Sequence, residues 1–315
     1  MYKKIISIIV ILAIISIPKF HTIDPGRSIK FPGYIYDTKN VKASKINSTD
    51  INNNLSFNIL NRRYDFINLN KTTIIAHRGA SGIAPENSIP AIDEAGKMGY
   101  FGVELDICSS SDGVLYLLHD GKLDRTTDGS GSITDKTSTQ IDNLRINRGA
   151  NIDLYPDLKI PRFEDALEEC EKNNLVPVFD IKVFSKKDRD VNTFINIIYK
   201  HNYEKKLLVH SFNYKIMEDI RKKNKEIILM PMVNPKDKVH GYNYIRSFGF
   251  TGLDCYNKYL NKALVQRAHK DGLKVFAWTV DKPSTLKKDI DMGVDFIYSN
   301  KIPPDKTSKQ NIKKF

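Results

Sequence analysis

From residue 73 onward the chain alternates short β-branched runs with amphipathic stretches, and this alternation restricts its fold more than any other feature. The runs fall at 73–76, 102–107, 114–118, 176–181, 207–210, 227–230, 252–255, 274–277 and 296–298. Helical periodicity occupies 162–173, 190–200, 214–223 and 262–271, with Lys and Glu gathered on one face. Strand, helix, strand in succession implies parallel βαβ units, because a parallel neighbour can be reached only by a crossover. Some eight units in about 230 residues predict a (β/α)8 TIM barrel, which typically takes about 250. A doubly wound open sheet is the second candidate, but no G-x-G-x-x-G follows the first run. The stretch 121–160 breaks the rhythm and reads as a small insertion after the second barrel strand.

Charge has to be located before it is interpreted. The 315 residues carry a formal net charge of +12, with 49 Lys+Arg against 37 Asp+Glu. Residues 1–70 hold ten basic and four acidic side chains, and residues 301–315 hold five and one. The intervening body is left with 34 and 32, so it is nearly neutral. A nucleic-acid groove would put its Lys and Arg on the folded body, so nucleic acid is excluded as a partner. Three cysteines, Cys108, Cys170 and Cys255, are odd in number and far apart, which excludes a disulfide scaffold and a thiolate zinc site.

The ends read as targeting and surface segments. Lys3 and Lys4 precede an apolar run at 5–17, closed by Pro18 and Lys19. Its length is about 20 Å at about 1.5 Å per residue, short of a hydrocarbon core of about 30 Å but suited to a secretory leader. No A-x-A-like cleavage site follows, so residues 1–20 are expected to be a signal peptide or an uncleaved signal anchor, and the body to be exported. Residues 21–70 are expected to form a stalk or linker with aromatics able to pack on the barrel, 71–304 the barrel itself, and 305–315 a basic tail. The basic ends suit an anionic membrane or cell-wall surface.

Unusual polar residues collect where the predicted strands end. The first run leads into His77-Arg78-Gly79, and the second carries Glu104 and Asp106, which share a face because strand period is two. The third delivers His119-Asp120, and the fourth ends in Asp180-Ile181-Lys182. In a barrel these ends converge at one mouth. Three carboxylates without a thiolate suit Ca2+ or Mg2+, and two histidines suit an acid–base pair. Arg78 and Lys182 suit an anion beside the cation, so the set points to metal-assisted phosphodiester cleavage. Cys108 lies on the Glu104 face and is expected to be a small wall residue, not a ligand of a hard cation.

The blocks AHRGASGIAPENSIPAIDEA, GVELDI, DGVLYLLHDGKLDRTTDGSG, IPRFEDAL and FDIK, continued by HSF at 210–212, AWTV at 277–280 and GVDFIYSNKIP at 293–303, resemble the ordered motif series of the glycerophosphodiester phosphodiesterase family. The resemblance runs from residue 74 to 304. It implies a TIM barrel that uses one divalent cation, Ca2+ or Mg2+, to hydrolyse glycerophosphodiesters to sn-glycerol 3-phosphate and an alcohol. By position it implies His77 and His119 as the catalytic pair, Glu104, Asp106 and Asp180 as metal ligands, and Arg78 and Lys182 on the phosphate. Glu86 and Asn87 fall in a supporting PEN block, with Asn87 expected to cap the first helix, and Trp278 is an aromatic expected to touch substrate. The insertion matches a segment over the mouth. Two departures stand out: the family usually has Glu at the place of Asp180, and Thr-Asp at the place of Ser299-Asn300. Two alternatives remain, a phospholipase D-like lyase on lysophospholipid or sphingomyelin, and a non-catalytic binder of a phosphodiester polymer such as teichoic acid. Which histidine is the acid, the head group and the oligomeric state are left open.

Overall fold

The computed structural model describes residues 72–233, 245 and 249–304, together with the backbone of 29–31 and 34–36. The expected leader at 1–20, the tail at 305–315 and nearly all of the stalk lie outside the described residues. The chain divides into two compact units, residues 1–52 and 53–315. In the first, β1 (Ile29–Phe31) pairs antiparallel with β2 (Tyr34–Tyr36).

In the second unit, eight of the nine predicted runs become barrel strands: β3 (Thr73–His77), β4 (Gly102–Ser109), β6 (Val176–Val183), β7 (Leu208–Ser211), β8 (Ile228–Val233), β9 (Gly252–Tyr256), β10 (Lys274–Trp278) and β11 (Phe296–Ser299). They pair in parallel around the ring, and β3 also pairs with β4, which closes it. The structure is therefore a TIM barrel and not an open doubly wound sheet. The run at 114–118 behaves differently. It forms β5 (Leu115–Leu117), antiparallel on the outer end of β4 through Ile107–Leu117, Cys108–Tyr116 and Ser109–Leu115. β4 is eight residues long and outreaches β3, which pairs only with its Val103 and Glu104, so on that side its last three residues offer free backbone groups, which β5 satisfies.

Period-two alternation sorts the strand residues into two cores. Odd-numbered Val103, Leu105, Ile107, Phe179, Ile181, Val209, Leu229, Val275 and Ile297 face the helices. Ile75, Val176, Val178, Leu208, Ile228, Met230, Phe276, Phe296 and Tyr298 fill the ring interior. There Phe276 and Phe296 stack with centroids 4.2 Å apart. Each such side chain, fully buried, contributes about 1.5–3 kcal/mol, so the lower interior is a packed plug and not a channel. One step up each inward register, the apolar residues give way to Glu104, Asp106, Asp180, His210 and Asp254, all buried.

Helices α3 (Phe163–Lys172), α4 (Lys187–Lys200), α5 (Tyr214–Lys223) and α6 (Lys262–Lys270) fall on the four predicted stretches, and α1 (Ile89–Met98) and α7 (Pro283–Met292) join them. The α1 start corrects one expectation. Ser88, not Asn87, is the N-cap, its Oγ accepting from the Ala91 N–H at 3.2 Å. Gly79 is required just before this helix: its φ is +80°, and a Cβ there would lie 2.5 Å from that of Ala91.

The insertion carries α2 (Ser138–Asp142) and its own small core, in which Leu123, Ile133, Ile141, Ile146 and Ile160 pack on Tyr116 and Cys108. Cys108 is thus a wall residue of the insertion, with its thiol on the Leu118 carbonyl at 3.2 Å. At its far side the insertion meets the β3–α1 loop. Asn151 Nδ2 donates to the Ile83 carbonyl at 2.8 Å, and Gly149 lies so close to Pro85 that a Cβ would come within 2.7 Å of it.

Candidate active site

Neighbouring strands β4 and β6 supply the buried acids Glu104, Asp106 and Asp180, flanked by histidines on β3 and β7. In the parallel register His77 sits beside Glu104, Asp106 beside Asp180, and Asp180 beside His210. Inward-facing polar residues on adjacent strands therefore come together although they are far apart in sequence. The resulting cavity holds about 160 Å³ and is lined by His77, Arg78, Glu104, His119, Asp180, Lys182, His210, Phe212, Met232, Trp278, Thr279 and Tyr298. Of the residues singled out in the sequence, it gathers both histidines, both cations, two of the three carboxylates and the tryptophan.

Glu104 accepts from the Arg78 N–H at 3.0 Å, a bond made available by the left-handed turn at Arg78 (φ 58°). Its other neighbours are His77 Nε2 at 3.8 Å and His210 Nε2 at 3.6 Å. Burial opposes its charge, but the His77 and His210 rings when protonated, with Lys182, outweigh burial and hold its pKa far below the usual carboxylate range. Asp180 goes the other way. Burial dominates and pushes its pKa up, despite the nearby His210 and Lys182.

Asp106 lies behind the cavity wall. Its Oδ2 accepts from Asn87 Nδ2 at 2.7 Å, its own N–H donates to Asn87 Oδ1 at 2.9 Å, and Arg78 Nε stands 3.5 Å away. Asn87, in a left-handed conformation (φ 55°), is thus a clamp on Asp106. Lys182 Nζ bridges Asp106 Oδ1, at 3.0 Å, and Asp180 Oδ2. Burial works against its charge, yet the carboxylates prevail and raise its pKa.

The histidines have different partners. His77 Nδ1 meets Asn300 Oδ1 at 2.8 Å. The amide is turned that way because Asn300 Nδ2 and N–H both donate to Asp281, at 2.8 Å each, and a carboxylate can only accept. The proton therefore sits on Nδ1, and Nε2 presents its lone pair to the cavity. His119 Nδ1 instead donates to Asp120 Oδ1 at 2.6 Å. Asp120 continues to Arg125 Nε, Arg125 grips Glu86 at 2.9 and 2.7 Å, and Glu86 accepts from Arg78 Nη1 at 3.0 Å. Although burial opposes them, the guanidiniums keep Glu86 and Asp120 below the usual carboxylate range. Glu86 therefore stands in a chain of alternating charge that ties Arg78 to the insertion.

The roles of His210, Asp254 and Asp281 were missed in the sequence. His210 was noted only as part of the HSF block; a histidine in phase with inward Leu208 was the available signal. It is buried, its Nδ1 bonded to Asp254 Oδ2, and although burial opposes its charge the Asp254 and Asp180 carboxylates raise its pKa to about 10. Asn300 was seen as a departure, without its partner Asp281. Trp278 is packed into an aromatic wall, stacked on Tyr256 at 5.2 Å and edge-on to Phe212 at 5.9 Å.

Glu104, Asp180 and His210 bring one ligand atom each within 4.8 Å of one another. Asp180 Oδ1 and His210 Nε2 are buried without a hydrogen-bond partner among the described residues. Buried polar atoms of this kind need a counterpart, and a divalent cation fits them. Asp106 stands next to this trio, held by Asn87 and Lys182.

Comparison with known proteins gives a consistent result. The glycerophosphoryl diester phosphodiesterase family profile matches residues 77–303. Mouse glycerophosphodiester phosphodiesterase 1 is 48% identical over 115 residues, 36% of this chain and 34% of its own, so the match spans about a third of that relative. The bovine protein of the same name is 31% identical over 242 residues, 67% of this chain and 72% of its own. A phosphodiesterase from Oleispira antarctica, solved in complex with the product sn-glycerol-3-phosphate, superposes with a TM-score of 0.68 at 27% identity, covering 76% of this chain and 95% of its own.

Proposed function

The chain belongs to the glycerophosphoryl diester phosphodiesterase family, and from that membership we propose that it hydrolyses glycerophosphodiesters to sn-glycerol 3-phosphate and an alcohol. The observation that carries the reading is the single cavity into which His77, His119, Arg78 and Lys182 all project beside Glu104 and Asp180. A pure binder of phosphodiester polymer needs the cations but not two histidines held by separate polar partners.

Arg78 and Lys182 receive the phosphate and neutralise its oxygens as charge builds. His77, with its Nδ1 proton committed to Asn300, accepts at Nε2 a proton of the water that attacks phosphorus as the phosphorus–alkoxide bond breaks. His119, whose ring is held by Asp120, gives a proton to the departing alkoxide. Glu86 and Arg125 fix the directions of Arg78 and Asp120. Glu104 and Asp180, with Asp106 adjoining, would hold the divalent cation, and their oxygens suit Ca2+ or Mg2+. When bound, that cation polarises a phosphate oxygen and adds positive charge to the transition state.

The test is product analysis of the full chain with glycerophosphocholine, glycerophosphoethanolamine and glycerophosphoglycerol, with Ca2+, Mg2+ or EDTA. Glycerol 3-phosphate is expected, with turnover abolished by EDTA. No turnover of any of the three substrates would overturn the reading. A cyclic phosphate from lysophospholipid or sphingomyelin would move it to the lyase class. The basic, apolar leader and the basic tail support export, with the barrel outside the cytoplasm and against an anionic surface. Fractionation of cells that express the full chain, with a salt wash of the membranes, tests that placement.

A further inference from the structure

We propose that His210 is a nitrogen ligand of the divalent-cation site, and that it turns the preference of the site from Ca2+ and Mg2+ toward Mn2+. The inference rests on the cation-dependent function proposed above and specifies its metal.

Three observations converge. His210 belongs by position to the donor cluster, because it is the inward neighbour of Asp180 across the β6–β7 pairing and shares the 4.8 Å group with Asp180 and Glu104. Its side chain is only 2% exposed, and Nε2, the atom facing Glu104 at 3.6 Å, has no hydrogen-bond partner among the described residues. The opposite ring nitrogen is engaged by Asp254, whose carboxylate is completely buried. A carboxylate behind one ring nitrogen with the other left aimed at a cluster of acids is the arrangement that orients a metal-bound imidazole and strengthens it as a donor. Tyr298 fixes the ring from the side, with centroids 5.4 Å apart. A metal taken up here displaces the proton from Nε2, as metals do at ligating histidines.

The chemistry of the donor then sets the metal. Ca2+ and Mg2+ are hard cations that take oxygen and gain little from imidazole, whereas imidazole suits the first-row transition ions, of which Mn2+ is the one that also takes carboxylate oxygen as Ca2+ and Mg2+ do. Two carboxylates alone would favour the hard ions. Adding one imidazole shifts the balance.

The alternative role for His210 is a buried counter-ion for Glu104 and Asp180 that never touches a metal. The two are separated by binding measurements on the chelator-stripped full chain. Titration with Mn2+ and Ca2+, followed by calorimetry and by the loss of the free Mn2+ EPR signal, is expected to give one site with Mn2+ at least about tenfold tighter. His210→Gln, which offers an oxygen instead, is expected to weaken Mn2+ by about 10–100-fold, the range for disturbed ligand shells, while changing Ca2+ by less than about threefold. Pulsed EPR of the Mn2+-loaded wild-type chain needs no variant and is expected to show a directly bound ¹⁴N. Absence of that coupling, or Ca2+ binding as tightly as Mn2+, overturns the proposal. If a single Ca2+ or Mg2+ still binds and supports turnover, the functional reading survives and only the role of His210 fails. If no divalent ion binds and EDTA leaves turnover intact, the cation dependence fails as well.

Discussion

Asn87 offers a sharp test of how the buried acids are held, because one side chain makes two bonds to Asp106, one to its carboxylate and one to its backbone. In Asn87→Ala the carboxylate loses a donor at 2.7 Å and the Asp106 N–H loses its acceptor at 2.9 Å, in a setting where Asn87 is 3% and Asp106 is 1% exposed. Removing a hydrogen bond to a charged group costs about 1.5–3 kcal/mol, and one between neutral groups about 0.5–1.5. Arg78 Nε remains 3.5 Å from the same oxygen and offsets part of the loss. Alanine also tolerates the φ of 55° less well than asparagine, which adds about 1 kcal/mol. The total is about 3 kcal/mol, which for a domain of this size lowers Tm by about 6–12 °C. Thermal unfolding of the full chain, followed by circular dichroism, measures it. Asn87→Gly keeps the backbone comfortable and removes only the bonds, so it should retain most of the loss. A shift under 2 °C in Asn87→Ala, or recovery of most of the loss in Asn87→Gly, would refute the clamp.

Asp120→Asn keeps a partner for His119 but removes its charge, and kcat is expected to fall about 10–100-fold with KM within about threefold, read from steady-state turnover of glycerophosphocholine. Trp278→Ala removes the ring stacked between Tyr256 and Phe212, so KM is expected to rise about 5–10-fold while kcat stays within about threefold. Asp289, buried in α7 with neither carboxylate oxygen partnered, has its pKa raised by burial to about 6. A raised carboxyl pKa favours the neutral folded form, so its penalty is absent below its ordinary value of 3.8, grows through about 6 and is complete above it. Asp289→Asn is therefore expected to stabilise by about 1 kcal/mol at pH 7, after discount for solvent screening, and by nothing near pH 3.5. Urea unfolding at the two pH values decides this, and an equal gain at both contradicts it.

The barrel was legible because its signal is periodic and repeated. Each β-branched run followed by an amphipathic stretch says the same thing locally, and eight repetitions leave few other folds. The run at 114–118 has the same composition as its neighbours, so nothing in it announced an antiparallel partner; that outcome was set by the overlong β4 beside it. The site was legible where polar residues interrupt strand ends, as at Glu104, Asp106 and Asp180. His210 escaped because one histidine between apolar residues reads as an ordinary core residue until Asp254, 44 positions away, is seen against it. The function of Asn87 escaped for a related reason. Its position before a helix suggested a cap, whereas its bond crosses to a different strand.

The insertion rests on an extension of β4 at one side and is fastened to the β3–α1 loop at the other by Asn151, Gly149 and Arg125. An appendage rooted in a barrel strand and moored across the rim behaves as a fixed awning and not as a swinging door. Its mooring runs through Arg125 and Glu86 to Arg78, so the cavity would present that guanidinium in one place before and after anything enters it.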